Sequence, residues 1–292
     1  MNKINPLESF VLERNKNIIK PIFLSSPHSG NFYSEEFLSK TNVPLSELRR
    51  NEDMYVDELL EDLVNKGFPL LKALYPRIYI DLNRGALELD KSMFKENDIN
   101  FRIDETKYTR SGIGLIPKIS LNGEEIYKSK LLWCDIESRI QDFYNPYHLI
   151  LKESLDELNN KFETALLVDC HSMPFDRSND TYKTPEIVIG NNFQDGISME
   201  YGNFLLSSFK KFGFSVKLND PYSGGFITQY YGSLKKNVKV IQLEIRRDLY
   251  MDQDKLIKLS NFKNIQSILS KVINELSNFV ITKNEKFYKA AE

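Results

Sequence analysis

Short apolar or β-branched runs alternate along the chain with longer segments whose apolar residues recur every three or four positions. The short runs are IFLSS (22–26), PLLKAL (69–74), RIYIDL (77–82), TALLVDC (164–170), EIVIG (186–190), FSVKL (214–218) and VKVIQLEI (238–245), and each is predicted to be a strand. The longer segments read as helices. Over 45–66, Leu48, Val56, Leu59, Leu60, Leu63 and Val64 form one stripe, with Gly67 following as a C-terminal stop. Over 130–160, Leu132, Ile136, Ile140, Phe143 and Tyr147 repeat the spacing, with a kink or break expected at Pro146. A third helix is expected over 256–280 from Leu259, Phe262, Ile265, Leu269 and Val272. Strands alternating with helices predict an α/β fold, with helices packed on a largely parallel or mixed sheet. No internal repeat or proline-rich linker divides the 292 residues, so one domain over 1–292 is expected. Segment 85–130, rich in charge and in Gly/Asn turns, interrupts the alternation and reads as an irregular insertion of the kind that forms lids or binding loops.

Composition narrows the function classes. A net charge of −2 with dispersed lysines gives no electrostatic footprint for nucleic acid, and Lys210-Lys211 and Lys235-Lys236 read as solvated surface. Two cysteines, Cys134 and Cys170, make no disulfide framework and fit a reducing compartment. Glu8 and Glu13 stand where a signal peptide would need an apolar segment, and no apolar run approaches the roughly 18 residues of a spanning helix. The expectation is a soluble cytoplasmic protein with no nucleic-acid or membrane partner.

In open α/β sheets ligands bind at the carboxyl ends of strands. Polar residues gather there: Pro27-His28-Ser29-Gly30 after 22–26, Asp81, Asn83 and Arg84 at the end of 77–82, Asp169 and His171 at the end of 164–170, and Glu244, Arg246 and Arg247 at the end of 238–245. Period two puts Ile241, Leu243 and Ile245 on one strand face and Gln242, Glu244 and Arg246 on the other. Because Val238 and Val240 precede Glu244 on its own face, the strand is read as buried on both sides, with Glu244 aimed into a site. The same rule sets Asp169 and His171 on one side and Cys170 on the other, as a small buried residue. Ser172 is next to His171, whereas functional Ser–His pairs are assembled from distant segments, and no Gly-x-Ser-x-Gly turn is present. A metal site needs at least three ligands. His28 and His171 supply two, and Glu52, Asp53 and Asp57 are the acidic candidates, Asp53 and Asp57 sharing a face if the helix runs through them. Acidic residues at a helix N-terminus are also placed there by the macrodipole alone, and His148 in NPYH reads as a helix histidine bonded locally.

Taken in order, PHSG (27–30), EDMYVDEL (52–59), IDLNR (80–84), NPYH (145–148), DCHS (169–172), YSGGFIT (222–228) and QLEIRRDLYM (242–251) resemble the N-formylglutamate amidohydrolase family. The resemblance implies a three-layer α/β/α, zinc carboxypeptidase-like hydrolase with a mostly parallel, mixed central sheet and one Zn2+ per chain. It implies His28 and His171 as zinc ligands. Asn31 stands where the carboxypeptidases carry a glutamate ligand, which shifts the carboxylate role to Asp53. Glu244 would be the general base, Arg246 a stabiliser of the oxyanion, and Asn83 and Arg84 the holders of a substrate carboxylate, with Arg246 or Arg247 next in line. Gly224 and Gly225 would let backbone approach the substrate, and Asp169 would orient His171. The implied reaction is hydrolysis of the formyl amide of N-formyl-L-glutamate, a small anionic substrate, in histidine breakdown. The alternative is another N-acyl amino acid or a short peptide.

Overall fold

The computed structural model describes residues 8–15, 20–95, 102–175, 184–193 and 196–291, so residues 96–101 of the expected insertion lie outside the described residues. Strands are β1 (Phe10–Glu13), β2 (Ile22–Ser26), β3 (Leu70–Ala73), β4 (Ala165–Met173), β5 (Ile187–Gly190), β6 (Val216–Leu218) and β7 (Val238–Arg246). Helices are α1 (Glu35–Ser39), α2 (Leu45–Arg49), α3 (Val56–Asn65), α4 (Lys107–Arg110), α5 (Trp133–Arg139), α6 (Asn145–Phe162), α7 (Gly196–Lys211), α8 (Phe226–Leu234) and α9 (Phe262–Ala291). The chain groups into two compact units. The first comprises Met1–Val11, Pro27–Met54 and Lys72–Leu151; the second comprises Leu12–Ser26, Tyr55–Leu71 and Lys152–Glu292.

The sheet has strand order β1-β3-β2-β4-β7-β5-β6, and β2, β4, β5, β6 and β7 lie wholly within the second unit. The pairs β2–β4, β4–β7 and β5–β6 are parallel, and β5–β7 is antiparallel, which makes the expected mixed, mostly parallel α/β sheet. Every residue of β2 and β4 is buried, as continuous apolar runs covered by helices on both faces require. Helix α3 packs on β2 and β4, α7 on β5, β6 and β7, and α9 covers both α3 and α7, while α8 lies against β7. Among the described residues no helix is long and apolar enough to cross a membrane.

The first unit is mostly loops and short helices, and most departures from the sequence pattern fall in it or at its borders. RIYIDL (77–82) is not a strand: the N–H groups of Tyr79 and Ile80 both return to the Pro76 carbonyl, at 2.8 and 3.4 Å, and curl the backbone. Its alternation is real but comes from Ile78, Ile80 and Leu82 being buried in an irregular segment. The helix expected over 45–66 is split. Asn51 donates its side-chain amide to the Glu47 and Leu48 carbonyls and closes α2, and the left-handed Tyr55 (φ 67°) starts α3. Asp53 and Asp57 therefore do not share a helix face. Gly67, at φ 88°, ends α3 as expected. The break expected at Pro146 is a π-helical turn over Ile140–Tyr144 that leads into α6. The last helix begins at Phe262, and Leu259 is exposed on the hairpin that precedes it.

Candidate active site and metal ligands

In the second unit the chemistry sits in two rows on one face of the sheet. Strand β4 runs to Met173, so Asp169 and His171 lie within it, and its register with β7 sets Asp169 beside Gln242 and His171 beside Glu244. Period two keeps each row on a single face while Cys170, Leu243 and Ile245 fill the other. His171 Nε2 bonds Asp169 Oδ2 at 2.8 Å, and Ser25 on β2 donates its hydroxyl to Asp169 Oδ1 at 2.8 Å. Gln242 Nε2 donates to Glu244 Oε1 at 2.8 Å, and Gln242 Oε1 accepts the Gly225 N–H at 2.8 Å. All of these side chains are at most 7% exposed. The Cys170 thiol is pushed well up by burial, then by the neighbouring charges of Asp169 and Glu244. It is a buried thiol in a field that disfavours the thiolate.

In the first unit His28 follows directly from the end of β2. Its Nε2 bonds Asp81 Oδ1 at 2.7 Å, and its Nδ1 stands 3.3 Å from Asp53 Oδ2. Asp81 is fully buried and gathers Arg77 at 2.6 Å and the Asn83 N–H at 2.9 Å. Burial alone would raise its pKa, but the charges of Arg77, His28 and Arg84 hold it well below the usual carboxylate range. Asp53 is locked to the same loop: its N–H donates to the His28 carbonyl at 3.0 Å, and Ser29 donates its hydroxyl to the Asp53 carbonyl at 3.2 Å. Gly30 lies so close to the neighbouring chain that a Cβ there would come 2.0 Å from the Tyr75 carbonyl oxygen.

Both histidines thus set Nε2 on an aspartate, which fixes Nδ1 as the nitrogen a cation would take. Donors bound to one tetrahedral zinc at about 2.0–2.1 Å stand about 3.3 Å apart, and His28 Nδ1 and Asp53 Oδ2 have that separation, 3.3 Å. The residues present fit a nitrogen–oxygen metal site. The other acidic candidates are engaged differently. Glu52 accepts from the Tyr33 hydroxyl at 2.8 Å and from Arg49 at 3.3 Å, and burial, then the Glu52 charge, raises the Tyr33 pKa. Asp57 lies in the first turn of α3. His148 bonds the Leu82 carbonyl at 3.0 Å with its ring against Tyr144, so it is engaged by a distant loop and not by the local bond expected of it.

The arginines divide as follows. Arg84, 7% exposed, donates Nε to the Ile113 carbonyl and Nη1 to the Asn83 carbonyl, and its guanidinium lies 4.0 Å from the Tyr108 ring centre. Among the described residues no carboxylate forms an ion pair with it. Arg246 bonds Asp248 at 2.7 Å and the Thr184 carbonyl at 2.7 Å and lies over Phe175, so its charge is already shared. Arg247 donates Nε to the Ser172 hydroxyl at 3.0 Å. Gly224 (φ 135°) has a cause internal to the fold: a Cβ there would come 2.8 Å from the Thr228 side chain. Gly225 begins α8 and uses its N–H on Gln242.

The sequence profile of the N-formylglutamate amidohydrolase family matches residues 20–251. The chain belongs to this family. It is 28% identical over 243 residues to the N-formylglutamate deformylase of Pseudomonas putida, covering 80% of this chain and 82% of that one. It is 26% identical over 244 residues to the enzyme of the same name from Pseudomonas aeruginosa, with coverage of 80% and 83%. The crystal structure of N-formylglutamate amidohydrolase from Ralstonia eutropha JMP134 superposes with a TM-score of 0.85 at 28% identity, covering 93% of this chain and 98% of that one. A gene product of Agrobacterium tumefaciens shares the fold, with a TM-score of 0.67, 16% identity and coverage of 94% of each chain.

Within the N-formylglutamate amidohydrolase family match, the sequence pattern left several partners without a role. Asp81 stood among the polar residues of IDLNR, but its bond to His28 depends on two loops meeting. Arg77 and Tyr108 carried no signal beyond residue type. Gln242 did carry one, because period two sets it on the face of Glu244.

Proposed function

We propose that the chain hydrolyses the formyl amide of N-formyl-L-glutamate to formate and L-glutamate, with a divalent metal held by His28, Asp53 and His171. The observation that supports this is the donor chemistry: His28 Nδ1 and Asp53 Oδ2, both buried, stand 3.3 Å apart, and the buried His171 is held by Asp169 as His28 is held by Asp81. The family match and the names of the relatives support the substrate. Zinc, one ion per chain, a cytoplasmic setting and a place in histidine breakdown belong to the same proposal, supported by the mixed nitrogen–oxygen donors for the first and by family resemblance for the rest.

A divalent cation at these ligands supplies Lewis-acid activation of water and of the amide carbonyl. Glu244 takes the proton of the attacking water and returns it to the leaving amine. Asp169 and Asp81 hold the two imidazoles in the tautomer that offers Nδ1. The substrate carries two carboxylates, and Arg84, stacked on Tyr108 and forming no ion pair among the described residues, receives one of them, with Asn83 beside it. Arg246, at the end of the strand that carries Glu244, is assigned the developing oxyanion and is partly neutralised by Asp248. Gly224 and Gly225 bring backbone to the substrate side of α8.

The test is deformylation of N-formyl-L-glutamate by the purified chain, with metal content measured alongside. Glu244→Gln is expected to lower kcat by about 10²- to 10⁴-fold while retaining the metal. Turnover undiminished in that variant would remove Glu244 as the base, and no turnover by the wild type would remove the substrate assignment.

A further inference from the structure

We infer that Gln242 is the positioning residue for Glu244, a fixed amide that aims the carboxylate and selects which of its oxygens works. The inference rests on Glu244 being the base, as proposed above. An amide side chain has an acceptor end and a donor end that are alike in shape, so its direction is set by what faces it. Here the Gly225 backbone N–H, which can only donate, lies 2.8 Å from one end of Gln242. That end must be the oxygen. The Thr228 hydroxyl, at 3.5 Å, is a longer second donor to the same oxygen. The opposite end must then be the NH2, and it donates to Glu244 Oε1 at 2.8 Å.

The consequence for Glu244 is specific. Oε1 faces a hydrogen that Gln242 cannot withdraw, so a proton collected from water goes to Oε2, and Oε2 is the oxygen that returns it. The carboxylate loses its freedom to rotate about its last bond, since Gln242 (5% exposed) is itself pinned by a helix terminus. This arrangement also links two separate stretches of the chain. Gly225 lies in YSGGFIT and Gln242 and Glu244 in QLEIRRDLYM, and this amide is hydrogen-bonded to both segments. The main task of Gly225 is to present its N–H at the start of α8.

Steady-state kinetics on N-formyl-L-glutamate, with metal content and thermal denaturation recorded for each protein, tests the inference. Gln242→Met keeps the volume and loses both bonds. Gln242→Glu keeps the shape and the acceptor for Gly225 and faces Glu244 with a second carboxylate oxygen in place of the donor, so it remains informative if the methionine variant folds poorly. Both are expected to lower kcat by roughly 10- to 100-fold, as a misaligned catalytic group does, with KM within about twofold and metal content unchanged. In the Glu244→Gln background, either change is expected to cost little further activity, because the group it positions is gone. A wild-type kcat in Gln242→Glu, or a loss that persists in full in the Glu244→Gln background, overturns the inference while leaving the proposed function intact. A wild type that does not turn over the substrate overturns both.

Discussion

His28 and His171 each set Nε2 on a buried aspartate, at 2.7 and 2.8 Å, yet their surroundings are built by different means. His171 and Asp169 are two residues apart on one fully buried strand, and neighbouring strands supply Ser25 and the Gln242–Glu244 row in register. Sheet geometry places every one of these groups. The surroundings of His28 come from three loop segments, 28–30, 51–53 and 77–84, tied by side-chain-to-backbone bonds and by the ion pair of Arg77 with the buried Asp81. A strand-built pair is held by many equivalent backbone bonds. A loop-built pair is held by a few specific ones, so each of those carries more of the structure.

The largest effects break both halves alike. His28→Ala and His171→Ala are each expected to abolish stoichiometric metal binding and with it turnover, as read by elemental analysis of the purified proteins. Full metal occupancy in either variant would remove that histidine from the ligand set. The next test separates the halves. Asp81→Asn and Asp169→Asn are each expected to weaken metal binding by about 10- to 100-fold, but Asp81→Asn is expected to lower the melting temperature more, because Arg77, Asn83 and His28 all depend on it. Equal melting temperatures would erase the distinction between loop-built and strand-built sites. A pH dependence follows from Asp81. Its carboxyl is held below its ordinary value of 3.8, so the stability it contributes is present above that value and is lost as pH falls through the lower folded value. Acid unfolding should accordingly be steeper in the wild type than in Asp81→Asn.

Smaller effects probe single residues. Arg84→Met is expected to raise KM for the dianionic substrate by about 10- to 100-fold, the worth of a hydrogen-bonded charge, with kcat changed only a few-fold; an unchanged KM would exclude Arg84 from substrate binding. Finally, a thiol reagent applied to the folded protein should label the exposed Cys134 and spare Cys170, and unfolding should release the second thiol.

What was legible in the sequence follows the same division. Alternation in TALLVDC and VKVIQLEI put Asp169 with His171, Gln242 with Glu244, and Cys170 behind them, because a strand has a fixed period and a buried strand has little choice of register. The loop-built half offers no period. RIYIDL imitated a strand because alternate residues were buried, and the stripe through 45–66 concealed a break, since the signals for it are a side-chain cap at Asn51 and a left-handed Tyr55. Asp53 next to His28 and Asp81 behind it were reachable only through the family resemblance or through coordinates. Tertiary hydrogen bonds between loops leave no trace in periodicity.

Gly30 turns this into a statement about exchange of parts. Since a single added carbon there would strike the Tyr75 carbonyl, segments 27–30 and 75–81 have one shape between them, like two halves of a mould. A chimera that replaces 75–81 while keeping 27–30 is expected to retain the histidine and misplace the aspartate that holds it. The two segments are transplanted together or not at all.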